Sequence, residues 1–397
     1  MVDSAETSQP NTGRPILSRR VANYVRFALK NVFILISIAL ISLGSPWVYL
    51  IPVFTLSLLI VAEELIADID ATEDMPPTWY LNIALWLSLP LLGLLTVAFM
   101  NMVGPGIPAV DAVLRAVGID PDASRASMDI PAIICAVVSF GSLHALAGLN
   151  VAHELVHRAD SKFDVIVGKL LLGFTFDTGY AIDHVYGHHK NVGTEADPST
   201  ARRGEYALAF VVRSTIGQNI NAWRIEHERL KRKGIPDRPW TNRYWRGWLI
   251  SLSYVVACYL LAGWKGMLLF SLTAIVGKAY HTLITYVEHY GLVRVPGTPV
   301  QPRHAWNSNR RISLGMLYNA PLHAEHHMFA SRPFWKLQKV EDGKAPLMPH
   351  GSVVMFMIAF TPPLWNHIVK PRLAEWDRSF ASEGEREYLR SKGLLLG

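Results

Sequence analysis

The chain has 397 residues, half of which are hydrophobic and only 18% of which are charged. This composition and the positive mean hydropathy argue against a soluble globular protein and predict membrane-spanning segments. The net charge is +6, but no basic helix or basic-aromatic motif stands clear of the apolar runs, which argues against nucleic acid as a partner.

The apolar runs are long enough for transmembrane helices, each of which needs roughly 20 apolar residues. From Asn31 to Ala62 the chain carries no charge, and Gly44-Ser45-Pro46 breaks this run near its middle. The predicted spans are Asn31–Leu43, Trp47–Ala62, Trp79–Met102, Ile130–Asn150, Trp248–Leu261 and Met267–Val287. Two shorter apolar segments, Val165–Phe176 and Val353–Trp365, are expected at the membrane interface or under the catalytic region. The sequence therefore predicts an all-α integral membrane bundle of about six transmembrane helices.

The basic residues predict the orientation of these helices. The basic residues before the first span are Arg14, Arg19, Arg20, Arg26 and Lys30. The positive-inside bias places this end in the cytoplasm, and six spans return the chain there. The Val151–Arg246 connection is also rich in lysine and arginine, so a cytoplasmic, histidine-rich cap is expected. We predict a polar N-terminal tail (residues 1–24), one membrane domain (residues 25–378) and a polar C-terminal tail (residues 379–397).

Histidine is the unusual feature of the composition, because most of the 15 histidines fall in four short segments. These segments are His153-Glu154-Leu155-Val156-His157, His184-Val185-Tyr186-Gly187-His188-His189, Glu288-His289-Tyr290 and His323-Ala324-Glu325-His326-His327. Histidines four apart lie on one helical face, with Cβ atoms about 5–6 Å apart, close enough to share a metal ion. Nine neutral imidazoles suit one or two borderline metal ions. The alternative is a chance excess of histidines that serve as caps and hydrogen-bond partners.

The two cysteines, Cys135 and Cys258, lie inside apolar stretches. Neither their spacing nor their context predicts a disulfide, a structural zinc site or an iron–sulfur cluster. Any metal must therefore be held by other side chains.

The histidine segments resemble those of the membrane-bound fatty acid desaturase and hydroxylase superfamily. More narrowly, the chain resembles the membrane alkane monooxygenases and the hydroxylase component of xylene monooxygenase. The motifs that carry this narrower resemblance are Gly187-His188-His189 followed by Glu195-Ala196-Asp197-Pro198, then Glu288-His289-Tyr290-Gly291-Leu292, Pro302-Arg303-His304-Ala305-Trp306-Asn307 and Ala345-Pro346-Leu347-Met348-Pro349. The resemblance extends from Gly141 to Glu387. The chain departs from it at Asp183, where the alkane enzymes usually have glutamate, and at Ala320-Pro321-Leu322.

The resemblance implies two non-haem iron ions held by nine histidines without a bridging carboxylate. The implied ligands, which are also the implied catalytic residues, are His153, His157, His184, His188, His189, His289, His323, His326 and His327. The second nitrogen of each ring needs a hydrogen-bond acceptor that fixes the ring's orientation. The acidic side chains next to the ligands are Glu154, Asp183, Asp197, Glu288 and Glu325. The alternative for each is a solvated carboxylate or a partner for a nearby arginine.

The resemblance also implies a function: hydroxylation of a terminal or methyl C–H bond of a hydrophobic hydrocarbon, an alkane or an alkyl-substituted aromatic, with O2 and two electrons. No nicotinamide or flavin fingerprint is visible, so a rubredoxin- or ferredoxin-type donor with its NAD(P)H reductase is expected. The residues that could attract this donor are Arg202, Arg203, Arg229, Lys231, Arg232 and Lys233; contact with lipid headgroups is their alternative role. The expected location is a bacterial-type inner membrane, with the active site on the cytoplasmic side.

Three other functions are compatible with parts of the sequence. An acyl-lipid desaturase or hydroxylase would use the same iron centre. A haem-binding membrane electron-transfer protein would place single histidines on facing helices. A metal transporter would place ionisable residues along a path through the membrane, whereas the helix interiors here are almost free of charge apart from Lys278 and His281.

Overall fold

A computed structural model describes residues 16–66 and 79–396 of the protein. Within these residues the chain is helical, and its extended pairing is limited to one isolated bridge between Asn307 and Leu347. The predicted all-α class is therefore confirmed for the described part. The first 15 residues of the predicted N-terminal tail lie outside the described ranges, and the first helix begins at Ile16.

The described chain contains 19 α-helices, together with shorter π-helical and 3-10 turns. The first ten α-helices are α1 (Ile16–Leu43), α2 (Leu50–Leu56), α3 (Glu63–Leu65), α4 (Trp79–Trp86), α5 (Ser88–Val103), α6 (Pro108–Ala116), α7 (Pro121–Ala126), α8 (Ile130–Leu143), α9 (Asn150–Val156) and α10 (Lys162–Gly173). The others are α11 (Tyr180–Asp183), α12 (His189–Asn191), α13 (Ala207–Arg232), α14 (Arg243–His289), α15 (Arg311–Met316), α16 (His323–Met328), α17 (Ser352–Ala359), α18 (Pro362–Ser379) and α19 (Glu383–Ser391). Three π-helical turns are Ser57–Ala62, His144–Leu149 and His184–His188, and three 3-10 turns are Trp47–Tyr49, Pro302–His304 and Phe334–Lys336.

Four helical segments of the described chain are long and apolar enough to cross a membrane. They are Tyr24–Leu43, Trp79–Val103, Ile130–Val156 and Arg243–His289. The predicted second span, Trp47–Ala62, is not among them: it begins with a 3-10 turn, and the α- and π-helical stretch that follows is short and ends at Leu65. The chain is therefore a multi-pass membrane protein by the length and composition of its helices.

The longest helix, α14, contains two membrane-length arms. Its 47 residues would extend about 70 Å if straight, more than twice the roughly 30 Å thickness of a bilayer's hydrocarbon core. The backbone dihedral angles depart from helical values at Ala262 and Gly263. Gly263 has φ 62° and ψ −154°, a conformation that strongly favours glycine. The predicted break between Leu261 and Met267 is therefore confirmed.

The outer face of α14 is strongly apolar. Only 22% of its most apolar stretch is buried inside the protein. Leu260 and Trp264, close to the break, are 77% and 62% exposed. Soluble proteins rarely expose contiguous apolar surface on this scale, so the face is suited to lipid.

The ligand-bearing segments lie between two apolar clusters. Val151 and Leu155, which flank His153, belong to the cluster built mainly from α1, α5, α8 and α10. Tyr286 and Val287, which precede His289, belong to a second cluster that includes residues of α17 and α18. The last helix, α19, lies within the predicted C-terminal tail and packs against this second cluster through the fully buried Leu389.

Gly266, in the turn between the arms of α14, is closely packed. A Cβ atom at Gly266 would lie 2.4 Å from the Cys258 carbonyl oxygen and 2.7 Å from the Ala262 Cβ, whereas one at Gly93 on α5 would meet nothing within 4 Å. We expect Gly266→Ala to destabilise the protein by about 1–3 kcal/mol through overpacking. Gly93→Ala should cost nothing. Thermal unfolding of both purified variants checks this, and equal midpoints would show that the turn is not tight.

Candidate metal centre

The structure brings together all nine histidines implied by the family resemblance. Their ring nitrogens form two groups, and within each group the nitrogens lie within 4.8 Å of one another. The first group consists of His153, His157, His184, His189 and His326. The second group consists of His188, His289, His323 and His327. His281, which lies two turns before His289 on α14, belongs to neither group.

The spacing within each group fits imidazoles that surround a metal ion. In the first group, the Nε2 atom of His326 lies 2.9 Å from that of His153 and 3.1 Å from that of His189. In the second group, the Nε2 atom of His323 lies 3.0 Å from that of His289 and 3.2 Å from that of His327. Ligands at right angles around one ion are about 3.0 Å apart when each metal–nitrogen distance is about 2.1 Å. The same spacing leaves no gap for a porphyrin between the rings.

The protonation of the rings also fits metal binding. Burial, reinforced by neighbouring imidazoles, holds the pKa of His184, His189 and His326 well below the usual value, so these rings are neutral and offer a lone pair. The Nε2 atom of His157 is buried without a hydrogen-bond partner in the described structure. A buried polar nitrogen without a partner is costly, and a cation at the centre of the first group would satisfy it.

The local helical geometry decides which group each ligand joins. His153 with His157, and His323 with His327, are four residues apart and share a group, as expected on a regular helix. The segment His184–His188 is instead a π-helical turn, in which residues five apart are aligned. The Nε2 atoms of His184 and His189 accordingly lie 3.0 Å apart, while His188 joins the second group.

Among the predicted acidic side chains, Asp197 makes a direct contact with a ligand ring. Its Oδ2 atom lies 2.9 Å from the Nδ1 atom of His188. Burial opposes the ionisation of Asp197, but the charge and hydrogen bond of His188 lower its pKa, so an ionised carboxylate faces the ring. A carboxylate only accepts, so Nδ1 carries the proton and Nε2 is left free for a metal. Thr200 donates a further hydrogen bond to Asp197, 2.6 Å long.

Glu288 also approaches a ligand, with its Oε2 atom 3.5 Å from the Nε2 atom of His323. This distance is too long for a direct hydrogen bond. The carboxylate nevertheless lies beside the metal-facing side of the second group and lines the adjoining cavity. Its oxygen atoms would therefore lie close to a cation bound in the second group.

The other three predicted acidic residues contact different partners. Glu154 forms an ion pair with Arg158, 2.7 Å long and one helical turn away, and Glu325 pairs with Arg332. Asp183 accepts a 2.5 Å hydrogen bond from the Asn221 amide. Burial, together with the charge of Asp197, raises the pKa of Asp183 to about 7.

An apolar cavity of about 250 Å3 adjoins both groups. His153 and His184 line it from the first group, and His188 and His323 line it from the second. Its apolar wall includes Val138, Leu146, Ile284, Phe356 and Met357. Pro52 and Thr55 of the Trp47–Leu65 region also border it. A hydrocarbon of moderate size fits such a pocket, whose shape rather than its hydrogen bonds would select the ligand.

The sequence interpretation did not identify two residues that hold the second histidine segment in place. Tyr180 stacks on His184, with ring centroids 4.5 Å apart and planes 13° apart. Ser199 lines the cavity and donates its backbone N–H to Asp197, 3.0 Å away. Their proximity to ligand residues along the chain was the available signal, but it did not indicate the direction of either side chain.

The family of the chain follows from comparison with known proteins. The fatty acid desaturase family model matches residues 130–359, more than half of the chain. This region contains all nine clustered histidines. The chain therefore belongs to the fatty acid desaturase family of membrane proteins.

Individual relatives are more specific. The chain is 36% identical over 242 residues to alkane 1-monooxygenase 1 of Pseudomonas aeruginosa, which covers 60% of this chain and 63% of that protein. It is 34% identical over 244 residues to the alkane 1-monooxygenase of Acinetobacter baylyi, and the match covers 60% of this chain and 59% of that protein. It is also 32% identical over 254 residues to the xylene/toluene monooxygenase hydroxylase component XylM of Pseudomonas putida, covering 63% and 67%. The chain thus matches somewhat less than two thirds of the length of the alkane enzymes.

The contact between Asp197 and His188 predicts a change in metal affinity. Because Asp197 fixes the orientation and proton of this ring, Asp197→Asn should weaken metal binding by about 10- to 100-fold. Asp237→Asn is the matched control, since it removes a carboxylate from His227 on the surface. Metal retained during titration with a chelator measures the effect. Equal retention by the two variants would show that Asp197 does not support a metal ligand.

Proposed function

We propose that the protein is a membrane non-haem diiron monooxygenase that hydroxylates a terminal or methyl C–H bond of a hydrophobic hydrocarbon. The observation that carries this proposal is the pair of histidine groups, whose nitrogens are spaced for one metal ion each, beside a mostly apolar cavity. The similarity to alkane 1-monooxygenases and to a xylene/toluene monooxygenase component supports the reaction class. The same similarity supports iron as the metal.

The proposed reaction consumes O2, two electrons and two protons. One oxygen atom enters the C–H bond to give an alcohol, and the other leaves as water. Two bound iron ions would supply the activation of O2 and the transfer of electrons that this chemistry needs. The five histidines of the first group and the four of the second would hold these ions.

The other residues of the site bind and orient. Asp197 holds His188 with its Nε2 atom toward the second group. The apolar wall, including Val138, Ile284 and Phe356, would hold the hydrocarbon chain beside both groups and exclude water. Because this part of the wall is apolar, hydrophobic burial and pocket shape would position the substrate.

The same proposal includes the arrangement in the membrane. The two arms of α14 would form two spans, and the Trp47–Leu65 region would complete a set of six with Tyr24–Leu43, Trp79–Val103 and Ile130–Val156. The basic residues before the first span and between α9 and α14 support a cytoplasmic active site in a bacterial inner membrane. A hydrocarbon dissolved in lipid would enter the cavity from the side.

Electrons would come from a separate rubredoxin- or ferredoxin-type protein and its NAD(P)H reductase. An acidic donor would be attracted to exposed basic residues on the proposed cytoplasmic side. Two residues of the predicted basic set have internal partners: Arg203 pairs with Asp377, and Arg229 pairs with Glu226. The members of the set that remain exposed are Arg202, Lys231, Arg232 and Lys233.

Metal analysis tests the proposed centre directly. We expect the purified protein to contain about two iron ions per chain, because each histidine group would hold one. His326→Ala removes a ligand from the first group and should lower the iron content to about one. His367→Ala, at an exposed histidine outside both groups, should leave the iron content unchanged. Zinc alone, or a haem absorption band, would contradict the diiron proposal.

Product analysis tests the reaction. Cells that supply a donor system, given octane or p-xylene under 18O2, should form 1-octanol or 4-methylbenzyl alcohol with one labelled oxygen, since a monooxygenase inserts one atom of O2. His326→Ala should abolish the product without preventing membrane insertion, and His367→Ala should retain it. Gas chromatography with mass spectrometry measures the alcohols. Modified acyl chains without either alcohol would instead indicate an acyl-lipid desaturase or hydroxylase.

A further inference from the structure

A buried ion pair joins α14 to the connection between α10 and α11, and neither of its residues belongs to a histidine group. The Lys278 Nζ atom is 2.7 Å from the Asp177 Oδ2 atom, and the two residues are 7% and 2% exposed. A buried ion pair is costly to desolvate and is not by itself a source of stability. Ionisable residues within membrane spans generally serve a defined purpose, so the surroundings of this pair are informative.

The ion pair continues into a series of hydrogen bonds, joined through Ser199, that ends at a ligand ring. Lys278 donates to the Gln218 Oε1 atom at 2.5 Å, and Gln218 Nε2 donates to the Ser199 Oγ atom at 3.0 Å. Lysine can only donate, which fixes the orientation of the Gln218 amide. Ser199 N–H donates to Asp197 Oδ1, and Asp197 Oδ2 faces His188 Nδ1.

The chain of contacts spans both ends of the segment that carries three ligands. Asp177 precedes His184, and Ser199 follows His189, so His184, His188 and His189 lie between them. Lys278 is bonded to the first end directly and to the second end through Gln218. It also lies 11 residues, about three turns, before His289 on α14. The second metal group is therefore tied to Lys278 through His188 and His289.

The two metal groups differ in the hydrogen bonds made by the outer nitrogens of their rings. Within the described residues, the hydrogen bond that His188 Nδ1 donates to Asp197 is the one that joins the outer nitrogen of a clustered ring to a carboxylate, and it belongs to the second group. A carboxylate behind an imidazole makes the ring more basic and fixes its direction. Any interaction that holds Asp197 in place therefore acts on the second group rather than on the first.

We propose that Lys278 and Gln218 are positioning residues of the second metal group, which act through Ser199 and Asp197 on the His188 ring. This inference rests on the proposed diiron centre. Neither residue touches the metal-facing nitrogens. Their role is to hold the Asp197 carboxylate at its contact distance from His188, so that the second ion keeps a fixed and more electron-rich environment than the first.

Two substitutions interrupt this series of hydrogen bonds without leaving a buried charged group unpaired. Gln218→Met keeps a side chain of similar length but removes the amide, and Ser199→Ala removes one hydroxyl. Ser214→Ala is the matched control, because the Ser214 hydroxyl accepts from the same Gln218 Nε2 atom at 2.9 Å but leads to no ligand. Lys278 and Asp177 remain paired in all three variants.

Mössbauer spectra of the 57Fe-loaded, full-length proteins measure the effect on each ion. We expect two iron signals in the unmodified protein. One of them, the signal that Asp197→Asn also alters, should shift or broaden in Gln218→Met and Ser199→Ala. Release of that one iron to a chelator should become about 10-fold faster, at the lower end of the range for residues that support ligands. The other signal, and both signals in Ser214→Ala, should be unchanged.

The outcomes separate this inference from the proposed function. If Gln218→Met and Ser199→Ala match the unmodified protein in both signals and in iron release, the positioning role is wrong while the diiron centre stands. Equal changes in both signals would also overturn it, because they indicate a general loss of structure. Absence of iron from the unmodified protein would overturn the proposed function itself.

Discussion

The convergence of nine imidazole rings, most of them buried, is the interaction on which the rest of the structure depends. Neighbouring Nε2 atoms lie about 3 Å apart. A cation at the centre of each group would bind the lone pairs of these neutral rings. The rings come from α9, the His184–His189 segment, the end of α14 and α16, so one metal centre would fix the relative positions of four distant parts of the chain.

The sequence predicted the members of the centre better than their arrangement. The histidine segments, together with the family resemblance, identify the nine histidines, and helical spacing explains why His153 joins His157 and His323 joins His327. Regular helical spacing would likewise join His184 to His188. The π-helical turn joins His184 to His189 instead, and such a turn depends on tertiary packing that no local pattern specifies.

In the fold as well, features set by neighbouring residues were predictable, whereas contacts between distant residues were not. The break in α14 was predictable because Gly263-Trp264-Lys265-Gly266 interrupts an apolar run. The Glu154–Arg158 ion pair follows from a separation of four residues. By contrast, Arg203 pairs with Asp377, 174 residues away, so its inclusion in an exposed basic surface could not be tested from sequence.

Charge balance gives the two metal groups different characters. Histidine ligands are neutral, so the positive charge of bound ions must be balanced by side chains around them, because the surrounding protein is apolar. Glu154 and Glu325 are already paired with arginines. Asp197 contacts a ligand of the second group, and Glu288 lies 3.5 Å from another. The ionised Asp197 therefore places a negative charge beside the group of four histidines, whereas the group of five would have one more neutral donor. A centre built in this way is asymmetric although every ligand is the same residue type.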